Sequence, residues 1–249
     1  MRRRDALVLG CLIAGAIAVP PVLRRLPSDF EFEPVQGVEG FRRLTSVGAV
    51  SGGVDPFFGL SDRLPDQAPL YEETISNPCD ALFGPFSGQT SDLPVAIFTD
   101  ANCPHCKTLE KRLVDLRDAG AGIRLIWHEM PLLGSYSVRV ARAALAARFL
   151  GAEERARTYL ASHALPPGGV GLRRMAAALK LPLDMMMREE SSSRVSKALS
   201  EDILLGQRLG IFATPGTVIG RTLVIGAIGE RDLMQLIKLE RSELGSLCH

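Results

Sequence analysis

What the chain has little of narrows it first. It carries only four histidines and five cysteines, and apart from one close pair of thiols none stands at the repeated short spacing that a zinc knuckle requires. Charge of one sign is lacking as well. With 29 basic and 28 acidic residues the formal net charge is +1, and the arginines are scattered, which removes the electrostatic case for nucleic acid or acidic substrates. No internal repeat is visible. Disorder is not indicated either, because 46% apolar and 23% charged residues is an ordinary globular composition and 249 residues can bury a full core.

A long uncharged run stands at the amino terminus, from Ala6 to Leu23, preceded by Arg2, Arg3 and Arg4 and followed by Arg24 and Arg25. This is an export signal, with Ala16 and Ala18 in the small-residue pattern that favours cleavage after Ala18. Left uncut, its 18 residues reach the length of about 17 to 25 that a membrane-crossing helix needs, so a cleaved signal and an anchor are both open. Arg3 and Arg4 also resemble a weak twin-arginine signal. Cys11 reads as a small apolar residue of the signal core. Either route delivers the body outside the cytoplasm, where disulfides persist.

From Ser28 to Ser91 the chain is rich in Gly, Pro, Asp and Ser and predicts an irregular extension with at most short strands. After Asp92 the pattern sharpens. Val95 to Thr99 predicts a strand, Lys107 to Arg117 a helix with Leu109, Leu113 and Leu116 on one face, and Ile123 to Trp127 a second strand, together a parallel strand–helix–strand unit. Val138, Ala141, Leu145 and Phe149 then recur at helical spacing up to a stop at Gly151. Further helices are expected over Ala152–Ser162, Leu172–Leu179 and Leu183–Leu209, the last with a break at Ser191 to Ser193. Thr217–Ile219 and Thr222–Ile225 flank Gly220 and Arg221 as a hairpin, and Glu230–Leu239 closes with a helix.

The chemistry-bearing stretch is Cys103, Pro104, His105 and Cys106, two thiols one helical turn apart at a strand-to-helix junction. That context points to disulfide exchange rather than metal binding. At a helix start, unpaired N–H groups and the helix dipole stabilise an anion, so the Cys103 thiolate should form more readily than that of a free cysteine. His105 can add a positive charge or a hydrogen bond to the same sulfur. Cys106, one turn further in, should be less exposed and act as the resolving thiol. Stabilising the reduced form makes the disulfide oxidising.

The segments Phe98 to Cys106, His128 to Gly134 and Ala213 to Gly220 resemble the DsbA-like thiol-disulfide oxidoreductases of the thioredoxin superfamily. The resemblance implies an α/β thioredoxin fold with an inserted helical domain, here preceded by an irregular N-terminal extension. Together with the patterning above, it divides the chain into residues 1–27 (export signal or anchor), 28–91 (extension, outside the resemblance), 92–133 (first thioredoxin part), 134–209 (helical insertion) and 210–249 (second thioredoxin part). It further implies a cis Pro215 against the active disulfide, leaving the Thr214 backbone free to pair with an extended substrate segment. Relatives often carry a buried acid six residues before the first cysteine, where this chain has Ile97. Asp100 and Glu129 are the nearby carboxylates, read equally as solvated loop residues or as proton carriers.

The expected activity is that of an exported protein thiol-disulfide oxidoreductase, mainly a dithiol oxidase acting on unfolded or folding exported proteins. It needs no cofactor and no metal. A membrane redox partner is expected, DsbB-like for an oxidase and DsbD-like for an isomerase or reductase kept reduced by a membrane donor. A reading from another class is a copper- or zinc-binding chaperone using the same thiols. Cys79 and Cys248 are candidates for a structural disulfide. Met185, Met186 and Met187 are expected to fill gaps in the helical block, and Trp127 and His128 to serve packing rather than catalysis. The location implied is the periplasm, soluble or tethered to the inner membrane.

Overall fold

The computed structural model describes residues 30–46, 48–51, 78–84 and 92–243. The export segment, Cys11, Cys248 and most of the extension lie outside the described residues. The described residues from Glu31 onward form one compact unit.

The elements in chain order are β1 (Phe32–Pro34), β2 (Arg42–Leu44), α1 (Pro78–Phe83), β3 (Leu93–Thr99), α2 (Pro104–Asp118), β4 (Ile123–Glu129), α3 (Ser135–Phe149), α4 (Glu153–Ser162), α5 (Gly169–Leu179), α6 (Leu183–Glu190), α7 (Ser193–Arg208), β5 (Gly216–Ile219), β6 (Thr222–Ile225) and α8 (Glu230–Ser242). The strands make one mixed sheet in the order β1-β2-β6-β5-β3-β4. All seven residues of β3 are buried, as expected of an unbroken apolar run between two neighbouring strands. It runs parallel to β4 and antiparallel to β5, so α2 is the crossover of a parallel unit. This is the thioredoxin-like fold that the sequence implies. The extension carries the short strands that its sequence allows: β1 and β2 pair antiparallel and β2 joins the sheet beside β6.

Two apolar clusters hold the unit. One lies among the helices after β4 and contains Leu145, Met175, Leu179 and Met186, and the other packs against the sheet and contains Leu82, Phe98, Met130, Val218 and Leu223. Each fully buried side chain of this size contributes roughly 1.5–3 kcal/mol. The methionine triplet divides: Met186 fills the helical core while Met185 and Met187 are exposed. The break expected near Ser191 is real, since the Ser192 hydroxyl accepts a bond from the Val195 N–H at 3.1 Å and caps α7. His128 stacks on Phe98 with centroids 4.7 Å apart, and its two ring nitrogens lie 2.7 Å from Asp202 Oδ1 and 2.9 Å from the Leu82 carbonyl.

Chain reversals at both ends of β5 are pinned to the rest of the unit. Antiparallel register sets Gly216 opposite Phe98, which brings Pro215 alongside the end of β3, where the loop to α2 begins. At the other end of β5, Glu240 of α8 accepts from the Arg221 N–H at 2.9 Å and the Thr222 hydroxyl at 2.6 Å, and pairs with Arg42 of β2 at 2.5 Å.

Candidate active site

The loop between β3 and α2 is built by one carboxylate. Asp100, buried, accepts from the Asn102 N–H at 2.8 Å and from the Leu133 N–H at 2.9 Å, while its carbonyl accepts from the Cys103 N–H at 2.9 Å. Such an Asx turn ends the strand and presents the next residue as a helix cap. Cys103 is that cap, in extended conformation, and its Sγ accepts from the Cys106 N–H at 3.2 Å. Pro104 occupies the first turn, where a missing N–H costs nothing.

The two thiols behave oppositely. The hydrogen bond from Cys106 lowers the Cys103 pKa to about 5, aided by the side chains of Ser51 and Thr214 and the Cys106 backbone N–H, against the opposing effect of burial. Burial, together with the bond to Cys103, pushes the Cys106 thiol up. At neutral pH the pair therefore shares one proton, and that proton sits on Cys106. Among the described residues, these hydrogen bonds to Cys103 come from the partner thiol and from Ser51 and Thr214, and no bond from His105 to its sulfur is found. Both thiols are 0% exposed. Burial nevertheless weighs more heavily on Cys106, one turn further into the helix, than on Cys103.

The Thr214–Pro215 peptide is cis. Cys103 Sγ lies 3.5 Å from the Thr214 carbonyl, so the dithiol and the turn meet. The Thr214 backbone, however, is not free. Its N–H donates to the Ser51 carbonyl at 2.9 Å and its carbonyl accepts from the Ser51 N–H at 2.8 Å, an antiparallel bridge made by the chain's own extension. The cause is the segment 48–51, which runs along the turn and satisfies groups that would otherwise face solvent.

Carboxylates near the site are buried rather than solvated. Glu129 pairs with Arg157 at 2.5 Å; burial raises its carboxyl to about 7 even though Arg157 and Arg148 pull the other way. Ile97, where a relative's buried acid would stand, is buried in the sheet between Trp127 and Thr217. Glu110 was not legible as a site residue. It lies one turn beyond Cys106 on α2, accepts a hydrogen bond from the Thr99 hydroxyl, and burial holds its carboxyl above the usual range. The signal that could have found it is the i, i+4 spacing from Cys106. Glu110, Trp127 and Arg157 open on a cavity of about 740 Å³ between α2 and α4. Ser51 is the other missed residue.

Cys79 is disulfide-bonded, and Cys248 lies outside the described residues. Among the described residues no group of three or more histidine, cysteine or acidic side chains is placed to hold a metal ion.

Residues 94–238 match the family model of the DSBA-like thioredoxin domain. Solved structures share the fold. A thioredoxin-like oxidoreductase from Silicibacter pomeroyi is 30% identical with a TM-score of 0.59, covering 66% of this chain and 98% of its own. The thiol-disulfide exchange protein alpha-DsbA2 from Wolbachia pipientis is 21% identical at TM-score 0.58, over 72% of this chain and 99% of that one. The catalytic domain of Proteus mirabilis ScsC is 22% identical at 0.57, over 69% and 98%. No curated protein matches.

Proposed function

The chain belongs to the DSBA-like thioredoxin domain family and is a thiol-disulfide oxidoreductase, and from that premise we propose that it works mainly as a dithiol oxidase on folding exported proteins. One observation carries the reading: the thiolate of Cys103 is stabilised to a pKa of about 5 while Cys106 keeps its proton. A dithiol whose reduced form is stabilised makes an oxidising disulfide.

The cycle starts from the Cys103–Cys106 disulfide. A client thiolate attacks Cys103 Sγ, forming a mixed disulfide and breaking the enzyme's S–S bond, and the departing Cys106 sulfur takes up a proton because its thiol pKa is high. A second client thiolate then attacks the client sulfur of the mixed disulfide and expels Cys103 as a thiolate. The client loses two electrons and gains a disulfide, and the enzyme is left as the reduced pair. A membrane acceptor of electrons must then reset it, DsbB-like in this direction. The export signature at residues 1–27 supports periplasmic work, and among the described residues no helix is long and apolar enough to cross a membrane.

Cys79 with Cys248 is proposed as the structural bridge, and His105 as a residue that tunes the dithiol through its place between the cysteines. Measuring the reduction potential tests the direction of flow. A value well above the roughly −270 mV of thioredoxin is expected; a value at or below it would overturn the oxidase reading in favour of a reductase.

A further inference from the structure

Four observations converge on the segment Gly48–Ser51. It is tied down through its backbone, with the Gly48 N–H on the Ile225 carbonyl at 2.8 Å and two isolated antiparallel bridges, in which Ala49 and Ala227 exchange bonds of 3.2 and 2.8 Å and Ser51 exchanges bonds with Thr214. It lies on the residue that precedes the cis proline, whose carbonyl is 3.5 Å from Cys103 Sγ. Its last residue carries a hydroxyl, the oxygen counterpart of a thiol. With the segment seated, Cys103 is 0% exposed, although a thiol that exchanges with protein clients must be reachable.

We infer that Gly48–Ser51 is an internal stand-in for the client: it occupies the backbone groups of Thr214 and Ala227 through antiparallel bridges, sets Ser51 where the client's cysteine must sit, and has to lift before exchange can occur. The inference rests on the oxidoreductase reading and adds the register of the client and the means by which the site is closed at rest. Backbone pairing gives such a strand its hold, and alternate side chains decide what fits. Serine there cannot form a mixed disulfide, so the segment can occupy the site without being trapped. The hydroxyl also helps lower the Cys103 pKa, so the closed state keeps the sulfur charged and ready.

Seating depends on a close approach of backbones. A Cβ at Gly48 would stand 2.5 Å from the Ala227 carbonyl oxygen and 2.9 Å from the Gly226 carbonyl carbon, neither of which can give way as a flexible side chain would. Gly48→Val should therefore unseat the strand without touching the dithiol.

The test uses the full chain. In the double variant Ser51→Cys with Cys106→Ser, an aromatic disulfide reagent first reacts with the Cys103 thiolate, releasing one aryl thiolate and leaving an aryl mixed disulfide. The thiol introduced at position 51 then attacks the Cys103 sulfur, forms the 51–103 bond and expels a second aryl thiolate. A concentration-independent second release, absent from Cys106→Ser alone, and a peptide linking positions 51 and 103 by mass spectrometry are expected. A Cys103 aryl adduct that persists without that link would overturn the inference. In parallel, oxidised Gly48→Val should be reduced by an extended cysteine-containing peptide about fivefold or more faster than the parent, and an unchanged or slower rate would equally overturn it. Neither readout requires that clients be oxidised, so the redox potential of the parent protein judges the oxidase reading separately.

Discussion

Two regions reach the same sulfur by different physics. The unit from β3 through β4 is placed by its side chains: β3 is buried along its whole length, and Leu109 and Leu113 are buried on α2, which packs against β4. The segment 48–51 is placed by its backbone, through N–H and carbonyl bonds to Thr214, Ile225 and Ala227, while Val50 stays exposed at 36%. Regions held by apolar burial unfold only with the whole domain, whereas regions held by a few solvent-edged backbone bonds open locally at low cost. The Cys103 thiol thus sits on the rigid part and the segment over it on the part that can yield.

The sharpest way to break the contrast is truncation on each side. Phe98→Ala should destabilise the protein by about 3–5 kcal/mol in denaturant unfolding, and Val50→Ala by less than about 0.5 kcal/mol. Comparable losses would mean that the segment is as much core as the strand. Next in size is the response to acid. Alkylation of Cys103 in the reduced protein should fall about tenfold for each pH unit below its pKa of about 5 and be flat well above it. The sign for stability is fixed by the same shift, because a lowered thiol pKa favours the folded reduced form. That contribution is complete above the ordinary thiol value of 9.0 and disappears as pH falls through about 5, so reduced protein should lose stability relative to oxidised protein over that window.

A smaller effect concerns clients. Phe212, two residues before Thr214, is 59% exposed and offers an apolar contact beside the turn. Phe212→Ser should raise the half-saturating concentration of an unfolded dithiol client about threefold, leaving the rate with dithiothreitol unchanged. Smallest is a shift at one sulfur, read by thiolate absorbance. Ser51→Ala removes a hydrogen bond and should move the Cys103 titration upward. An unmoved titration would show that the Ser51 hydroxyl does not act on Cys103.

The same contrast explains what the sequence made legible. The central strand, α2 and the helices up to α8 announce themselves because burial leaves periodic apolar residues, and their ends because Ser192 and Gly151 stand where caps and stops belong. The dithiol and the Thr-Pro turn were legible as residue types in a familiar order. The pairing of Ser51 with Thr214 was not, since a segment held in place by main-chain bonds imposes no periodic pattern on its side chains. Short β1 and β2, three residues each, are too brief to show alternation. Asp100 and Glu129 misled for a related reason: a carboxylate's burial depends on the distant N–H groups and arginines that meet it, and those meetings are tertiary.

Helix α7 has a place in both apolar clusters: Val195 and Leu199 belong to the one among the helices, Leu205 to the one against the sheet. Between them Asp202 binds the His128 ring and the Glu129 N–H with its two oxygens. The helical block is therefore no cassette that could be clipped out and the remaining ends rejoined. Excising it would strip a wall from the compartment behind the catalytic strand, so insertion and host must have been shaped as one piece.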